Sequence, residues 1–255
     1  MPDFFLGTKT VTLRPAQVAA SGGEADIYRT APHAFKVFKT PSHPEVKGQA
    51  NLEQEARLRI AEHQQKLPAL MALKPRLPRK VAAPVELLRD KNGLIAGYQM
   101  DYIDPAEVLL RYGERSFREQ GVPDDLVRDV FIDVYKTLDE AHWAGLVFGD
   151  FNDLNVLVKG REGFVIDIDS AQFGSYMARM FTSKFVDPLI CDPKLTTPMM
   201  VKAHSPETDW YAYLVMLMQS LLYVGPYGGV YRPPNVKLQV PHDARPLKRI
   251  TVFNP

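Results

Sequence analysis

The chain has 255 residues, 45% of them apolar, with 31 Lys and Arg against 30 Asp and Glu and a formal net charge of +1. That length and apolar share bury a sizeable core in one or two lobes, and the near-neutral charge excludes the basic footprint of a dedicated nucleic-acid binder. The single cysteine, Cys191, excludes an intrachain disulfide and a cysteine-cluster metal site, and reads as a small core residue. The opening MPDFFLGTKTV lacks a basic region ahead of a long apolar run. No stretch reaches the roughly 18 apolar residues of a membrane span; the nearest, Trp210 to Gly225, is broken by Gln219 and Ser220. A cytoplasmic protein with no membrane partner and no nucleic-acid partner is the expectation.

In chain order, residues 1–20 alternate around Val11 and Leu13 and predict a leading strand. Ala20 to Tyr28 sets Gly22 and Gly23 between two strands, where small residues let backbone N–H groups approach a phosphate. Glu24 in the same turn weakens such a contact. His33 to Lys39 reads as a strand with Lys36 among apolar neighbours; Lys39, at its end before Thr40-Pro41, is the competing lysine. Gln49 to roughly Leu67 predicts a helix with a stripe of Leu52, Ala56, Leu58, Ile60 and Ala61. Leu67 to Pro84, rich in Pro, Lys and Arg, reads as a solvated connector or a docking loop. Residues 85–88 and 94–100 form a hairpin around Asp90-Lys91-Asn92-Gly93, followed by Asp101-Tyr102-Ile103 and a boundary near Asp104-Pro105. Ala106 to Gly121 predicts a polar helix or helical turn. Pro123-Asp124-Asp125 then opens a helix whose stripe is Val127, Val130, Phe131, Val134, Leu138 and His142, the histidine read as part of the core.

The densest chemistry lies in Leu146 to Gln172, two short strands joined by a turn at Lys159 to Gly163. Asp150 can accept a proton or orient a hydroxyl. Asn155 and Asp167 offer the hard oxygen atoms that Mg²⁺ prefers, and Asp169 is either a further ligand or a cap for the following turn. Downstream, Ser175, Tyr176, Thr182 and Ser183 lie in a segment of small and basic residues. Ser205 caps an apolar helix that carries Asp209 near its start and continues through Tyr211 to Tyr223. Past Gly225 the chain is rich in Pro and Gly.

An Asp, an Asn after four intervening residues and a metal-binding Asp at the next strand end resemble the protein-kinase-like superfamily, and the strand of Lys36 is similar to its V-A-I-K strand. The departures are explicit. H-R-D reads Phe148-Gly149-Asp150, D-F-G reads Asp167-Ile168-Asp169, and Phe185-Val186-Asp187-Pro188 stands where A-P-E ends the activation segment, without its Glu. The resemblance covers about residues 15–225 and implies an α+β, bilobal fold. Its N-lobe, 1–103, is an antiparallel sheet plus the αC helix, with the hinge at 101–103. Its C-lobe, 104–255, is mainly helical, short or truncated after αF, with a Pro/Gly-rich C-terminal extension.

The resemblance also implies a site. ATP lies between the lobes, under Gly22 and Gly23, with Lys36 on its α and β phosphates and Glu55 pairing with that lysine; Glu53 and Glu62 are the alternatives. Met100 is the gatekeeper, and Asp101, Tyr102 and Ile103 meet the adenine edge. Asn155 and Asp167, with or without Asp169, hold Mg²⁺, for which Mn²⁺ can substitute. Asp150 orients the acceptor hydroxyl and takes its proton, while Asp209 braces the loop. The activity implied is ATP-dependent phosphoryl transfer by a divergent serine/threonine protein kinase, with a protein substrate that includes the chain itself. Two other classes stay open: a small-molecule hydroxyl kinase of the aminoglycoside or choline type, and a nucleotide-binding pseudokinase scaffold.

Overall fold

The structure, a computed structural model, describes residues 3–230 and 240–253. The chain forms two compact units: residues up to Leu77 with Ala82–Asp104, and Pro78–Val81 with Pro105 onward.

The first unit is a seven-stranded antiparallel sheet in the order β2-β1-β6-β7-β5-β4-β3. Its strands are β1 (Asp3–Leu6), β2 (Lys9–Thr12), β3 (Val18–Ser21), β4 (Ala25–Thr30), β5 (His33–Phe38), β6 (Glu86–Arg89) and β7 (Ile95–Asp101). The expected leading strand is therefore a hairpin, turning at Gly7-Thr8 with Leu6 opposite Lys9. Alternation sorts the side chains onto two faces. One face gathers Phe4, Leu13, Phe35 and Leu88, with Tyr28 and Val37 packed against them. Lys36, one residue out of phase, belongs to the other face, where helix α1 (Ala50–Leu73) lies; the Phe38 and His63 rings there are 4.3 Å apart.

Helix α1 corrects the sequence reading twice. Leu52 and Leu58 are exposed, and the buried positions are Ala56, His63, Lys66, Leu67 and Leu70. The helix also runs six residues past Leu67, through Pro68. An interior proline costs about 3 kcal/mol. Burying Leu67 and Leu70 completely offsets that, at roughly 1.5–3 kcal/mol each. Gln64 fixes the helix to the sheet, accepting the Ile95 N–H at 2.8 Å and donating to its carbonyl at 3.0 Å. The Pro-rich connector shortens accordingly. Part of it belongs to the second unit, where Val81 bridges Val165 and Lys80 pairs with Asp133 and Glu162.

The second unit is mainly helical. Helix α3 (Asp124–Trp143) buries Val127, Val130, Phe131, Val134 and Leu138 as its spacing predicts. It packs on the hairpin β9 (Val156–Lys159) and β10 (Glu162–Val165). The helix expected over Ala106 to Gly121 is instead a short strand β8 (Glu107–Val108) paired with β9, a 3₁₀ turn, and the single-turn α2 (Arg115–Arg118). Burial of Leu109 and Tyr112 overrides local propensity there. Helix α4 (Pro206–Leu222) starts with Ser205 in extended conformation at its N-cap and Pro206 at the first helical position. Among the described residues the only α-helix after α4 is the single-turn α5 (Arg245–Lys248), entered through a 3₁₀ turn at His242–Ala244, and its Leu247 packs against Val186, Ile190 and Cys191. The middle of the Pro/Gly-rich extension, residues 231–239, lies outside the described residues. Among the described residues no helix is long and apolar enough to cross a membrane.

Candidate functional site

In the second unit, the loop from Phe148 to Asn155 is tied down before it presents anything. Asp209, fully buried in the first turn of α4, accepts the Phe148 N–H at 2.7 Å and the Gly149 N–H at 2.9 Å, and stands 3.0 Å from His142 Nε2. Behind the loop, Val147 and Gln172 exchange backbone hydrogen bonds. This rigid backing leaves the Asp150 carboxylate with two donors from the chain itself. The Thr182 hydroxyl donates to Oδ1 at 2.8 Å, and the Asn152 amide donates to the same oxygen at 3.1 Å. An alcohol is thus held on a carboxylate at the distance general-base catalysis requires. Asp153, three residues on in the same loop, is buried, which pushes its carboxyl up, and Lys184 at 3.5 Å offsets part of that.

Asn155 points its amide inward, donating to the Asp150 carbonyl at 2.9 Å, and its own carbonyl accepts the Ile166 N–H at 2.9 Å. The second bond ties Asn155 to the residue before Asp167. Asp167 is exposed and adopts the left-handed conformation, φ 62° and ψ 45°, which Asp tolerates better than most residues. Asp169, two residues on, is buried. Among the described residues no three His, Cys, Asp or Glu side chains converge to hold a metal unaided. The donors on offer, an amide oxygen and carboxylates, are the set Mg²⁺ uses when phosphates and water complete its shell.

In the first unit, Lys36 is buried in β5, opposite Ile27 on one side and Tyr98 on the other. Met100 stands opposite Ala34 on the same face. The expected Lys36–Glu55 pair is not formed: Glu55 is exposed, and neither it nor Glu62 makes an ion pair among the described residues. Glu53 is engaged elsewhere, by the Gly48 N–H at 2.9 Å and Arg57 at 3.2 Å. The physical reason is position along the helix, not phase. Lys66, eleven residues on and at nearly the same phase as Glu55, is buried, whereas in the first half of α1 the buried residue is Ala56 and Glu55 beside it stays exposed.

Lys39 has a structural task. Only 1% exposed, it donates to the Gly22 carbonyl at 2.7 Å, Ser21 Oγ at 3.0 Å and Glu45 at 2.6 Å. Glu24 turns aside to Arg59 at 3.0 Å. The Gly22–Gly23 turn is therefore anchored by two cations of its own unit. At the chain's expected adenine edge, the Tyr102 N–H is already donated to the Pro32 carbonyl at 3.1 Å, and Asp101 is exposed and 4.0 Å from His33.

Sequence reasoning did not find the part played by Gly149 and His204. Gly149 has φ 75°, and a Cβ there would lie 2.6 Å from Ala178 Cβ and 3.2 Å from the His204 ring. Space that a side chain would take is filled by the following segment and by the residue leading into α4. Burial pushes the His204 imidazole below its usual 6.5, against the opposing pull of Asp209, the Met180 backbone and Asp150. The unfolded chain then takes up this proton first as pH falls. His204 stability is full above about pH 6.5 and is lost as pH drops through the depressed folded value. Urea melts at pH 7 and pH 5 should show a smaller acid loss for His204→Gln than for the wild-type chain; equal losses would assign the acid sensitivity elsewhere.

No family model matches the chain, and no curated protein matches it. Among solved structures it is similar to the ROP18 kinase domain in complex with AMP-PNP and sucrose, with a TM-score of 0.55 and 16% sequence identity, over 88% of this chain and 68% of that one. The curled antiparallel sheet with α1, followed by the helical unit with its β9–β10 hairpin, is a protein-kinase-like fold.

Proposed function

We propose that this chain, with its protein-kinase-like fold, is an ATP-dependent phosphotransferase acting on alcohol hydroxyls, and specifically a divergent serine/threonine protein kinase. The observation that carries the reading is the Thr182 hydroxyl donating to Asp150 on a loop fixed by fully buried Asp209. A protein hydroxyl is held there as an acceptor hydroxyl would be. Asp150 orients the acceptor and receives its proton as the phosphoryl group leaves, while Asn152 keeps the carboxylate from turning. Asn155 and Asp167, with or without Asp169, would hold Mg²⁺, which when bound supplies charge neutralisation for the phosphates. Lys36 in the first unit would meet the nucleotide's α and β phosphates, under the turn that Lys39 anchors. Catalysis of this kind is positioning plus electrostatics, so the rigidity of the loop counts for more than a reactive nucleophile.

Intact-mass analysis after incubation with Mg²⁺-ATP tests the proposal. Phosphate should appear on the wild-type chain or on an added protein substrate, and not with Asp150→Asn. Transfer only to small hydroxylated molecules would favour the aminoglycoside- or choline-kinase type of enzyme instead. Thr182 supplies a finer check. Thr182→Val vacates the Asp150 oxygen that the Thr182 hydroxyl occupies, so transfer to an added substrate should hold or rise. Thr182→Ser, which keeps the hydroxyl, should behave as the wild-type chain.

A further inference from the structure

The sheet of the first unit carries a concavity, mainly on the face opposite Lys36 and reaching past the strand ends to Phe38 and to Ile60 of α1. It is a hollow of about 860 Å³, in the size range of small-molecule sites, roughly 300–1,000 Å³. The curl of the sheet makes it. The β1–β2 hairpin continues the sheet beyond β6 and brings Phe4 and Leu13 round toward Tyr28 of β4 and Val37 of β5. These four side chains, with Ala96, form an apolar and partly aromatic wall. The charge around that wall leans negative. Asp3, Asp26 and Asp90 line the hollow against Lys91 and His43, and Asp90 also accepts the Asn92 and Leu94 N–H groups. Lys39, which could neutralise Asp26, is 3.6 Å from its Oδ1 and is itself shared with Glu45 and Gly22; the other oxygen, Oδ2, faces His43 at 3.4 Å. The Tyr28 hydroxyl is pushed up by burial and by the Asp26 charge, so it stays a neutral donor and acceptor in the wall.

We propose that this hollow is a ligand site for a small organic cation with an apolar body. The carboxylates attract the charge, and the wall that includes Phe4 and Tyr28 takes the apolar part. A nucleotide is a polyanion, so the ligand of this face is opposite in charge to the one proposed for the Lys36 face. The inference stands independently of the phosphotransfer reading.

Two fluorescent probes of similar size test it: berberine, a planar cation that brightens in apolar surroundings, and the anion 8-anilinonaphthalene-1-sulfonate. Titrated against the whole chain, berberine should brighten saturably and the anion should not. Saturating Mg²⁺-ATP should leave the berberine titration unchanged. Val37→Trp fills the hollow and should weaken berberine at least tenfold. Asp26→Asn should weaken it about threefold or more. Each variant is first shown to melt cooperatively, and if Val37→Trp does not, Ala96→Leu takes its place. Equal brightening of both dyes, displacement by Mg²⁺-ATP, or undiminished berberine binding in a folded hollow-filling variant would each overturn the proposal.

Discussion

If the proposed function holds, Asp150→Asn should lower phosphoryl transfer by on the order of 10²–10⁴-fold, the contribution of a positioned general base, and leave the melting temperature nearly unchanged. The two expectations have separate causes. Asn has the shape of Asp, and its side-chain oxygen can still accept from Thr182 and Asn152, which contact Asp150 at 2.8 and 3.1 Å. The loop backbone does not depend on this side chain either, because Asp209 holds the Phe148 and Gly149 N–H groups. What disappears is the negative charge and the capacity to receive a proton. Initial rates of phosphate incorporation beside a thermal melt decide the matter. A folded variant within threefold of the wild-type rate would show that Asp150 is not the base and that the loop was misassigned.

Gly97→Ala destabilises the first unit by about 3 kcal/mol or more, the upper end for inserted atoms that cannot be accommodated. Here the obstacle is backbone. A Cβ on Gly97 would lie 2.0 Å from the Lys36 carbonyl oxygen and 3.1 Å from the Val37 Cα. No rotamer change relieves that contact; strands β5 and β7 must part where they are paired. Since Lys36 is on the displaced strand, the variant should also lose part of the thermal stabilisation that Mg²⁺-ATP would confer under the proposed function, which follows nucleotide affinity by mass action. Urea unfolding with and without nucleotide measures both. A loss below 1 kcal/mol would mean the strands tolerate the methyl group and that Gly97 does not fix the position of Lys36.

What the sequence disclosed, and what it hid, follows the range of the interactions concerned. The strand of Lys36, the 85–100 hairpin, helix α3 and the Asp150–Asp167 hairpin are written in local patterns, and each appears where its spacing places it. Asp209 as the brace of the loop was readable only through resemblance, because its partners lie about sixty positions upstream. The part played by Lys39 was hidden for the same reason. Its partners Ser21 and Gly22 come from one turn and Glu45 from another segment, and nothing in Phe38-Lys39-Thr40 announces them. Helix α1 misled in two ways. Its leucines at 52 and 58 mimic an apolar stripe, while the face that is buried carries His63 and Lys66, which apolar periodicity does not count. Thr182 stood out in the sequence as a hydroxyl of the segment after Asp169, but its place on Asp150 is a contact across 32 positions that no local pattern encodes. The void at Gly149 could be anticipated as a missing arginine; that Ala178 and His204 fill it could not.

The left-handed backbone at Asp167 gives position 167 an unusual mutational spectrum. In a saturation library, two selections applied to the same variants should rank them differently. Sorted for folded abundance, Gly and Asn should match or exceed the native Asp at φ 62°. Ala should fall behind by about 1–2 kcal/mol of left-handed strain, and Val and Ile further still. Sorted for phosphoryl transfer, only Asp should survive, because Gly lacks the carboxylate and Asn lacks its charge. At Asp150, whose φ is not positive, the abundance ranking should show no preference for Gly or Asn. Divergence of the two rankings at 167 but not at 150 would separate, residue by residue, the cost of holding a backbone in place from the chemistry it is held there to present.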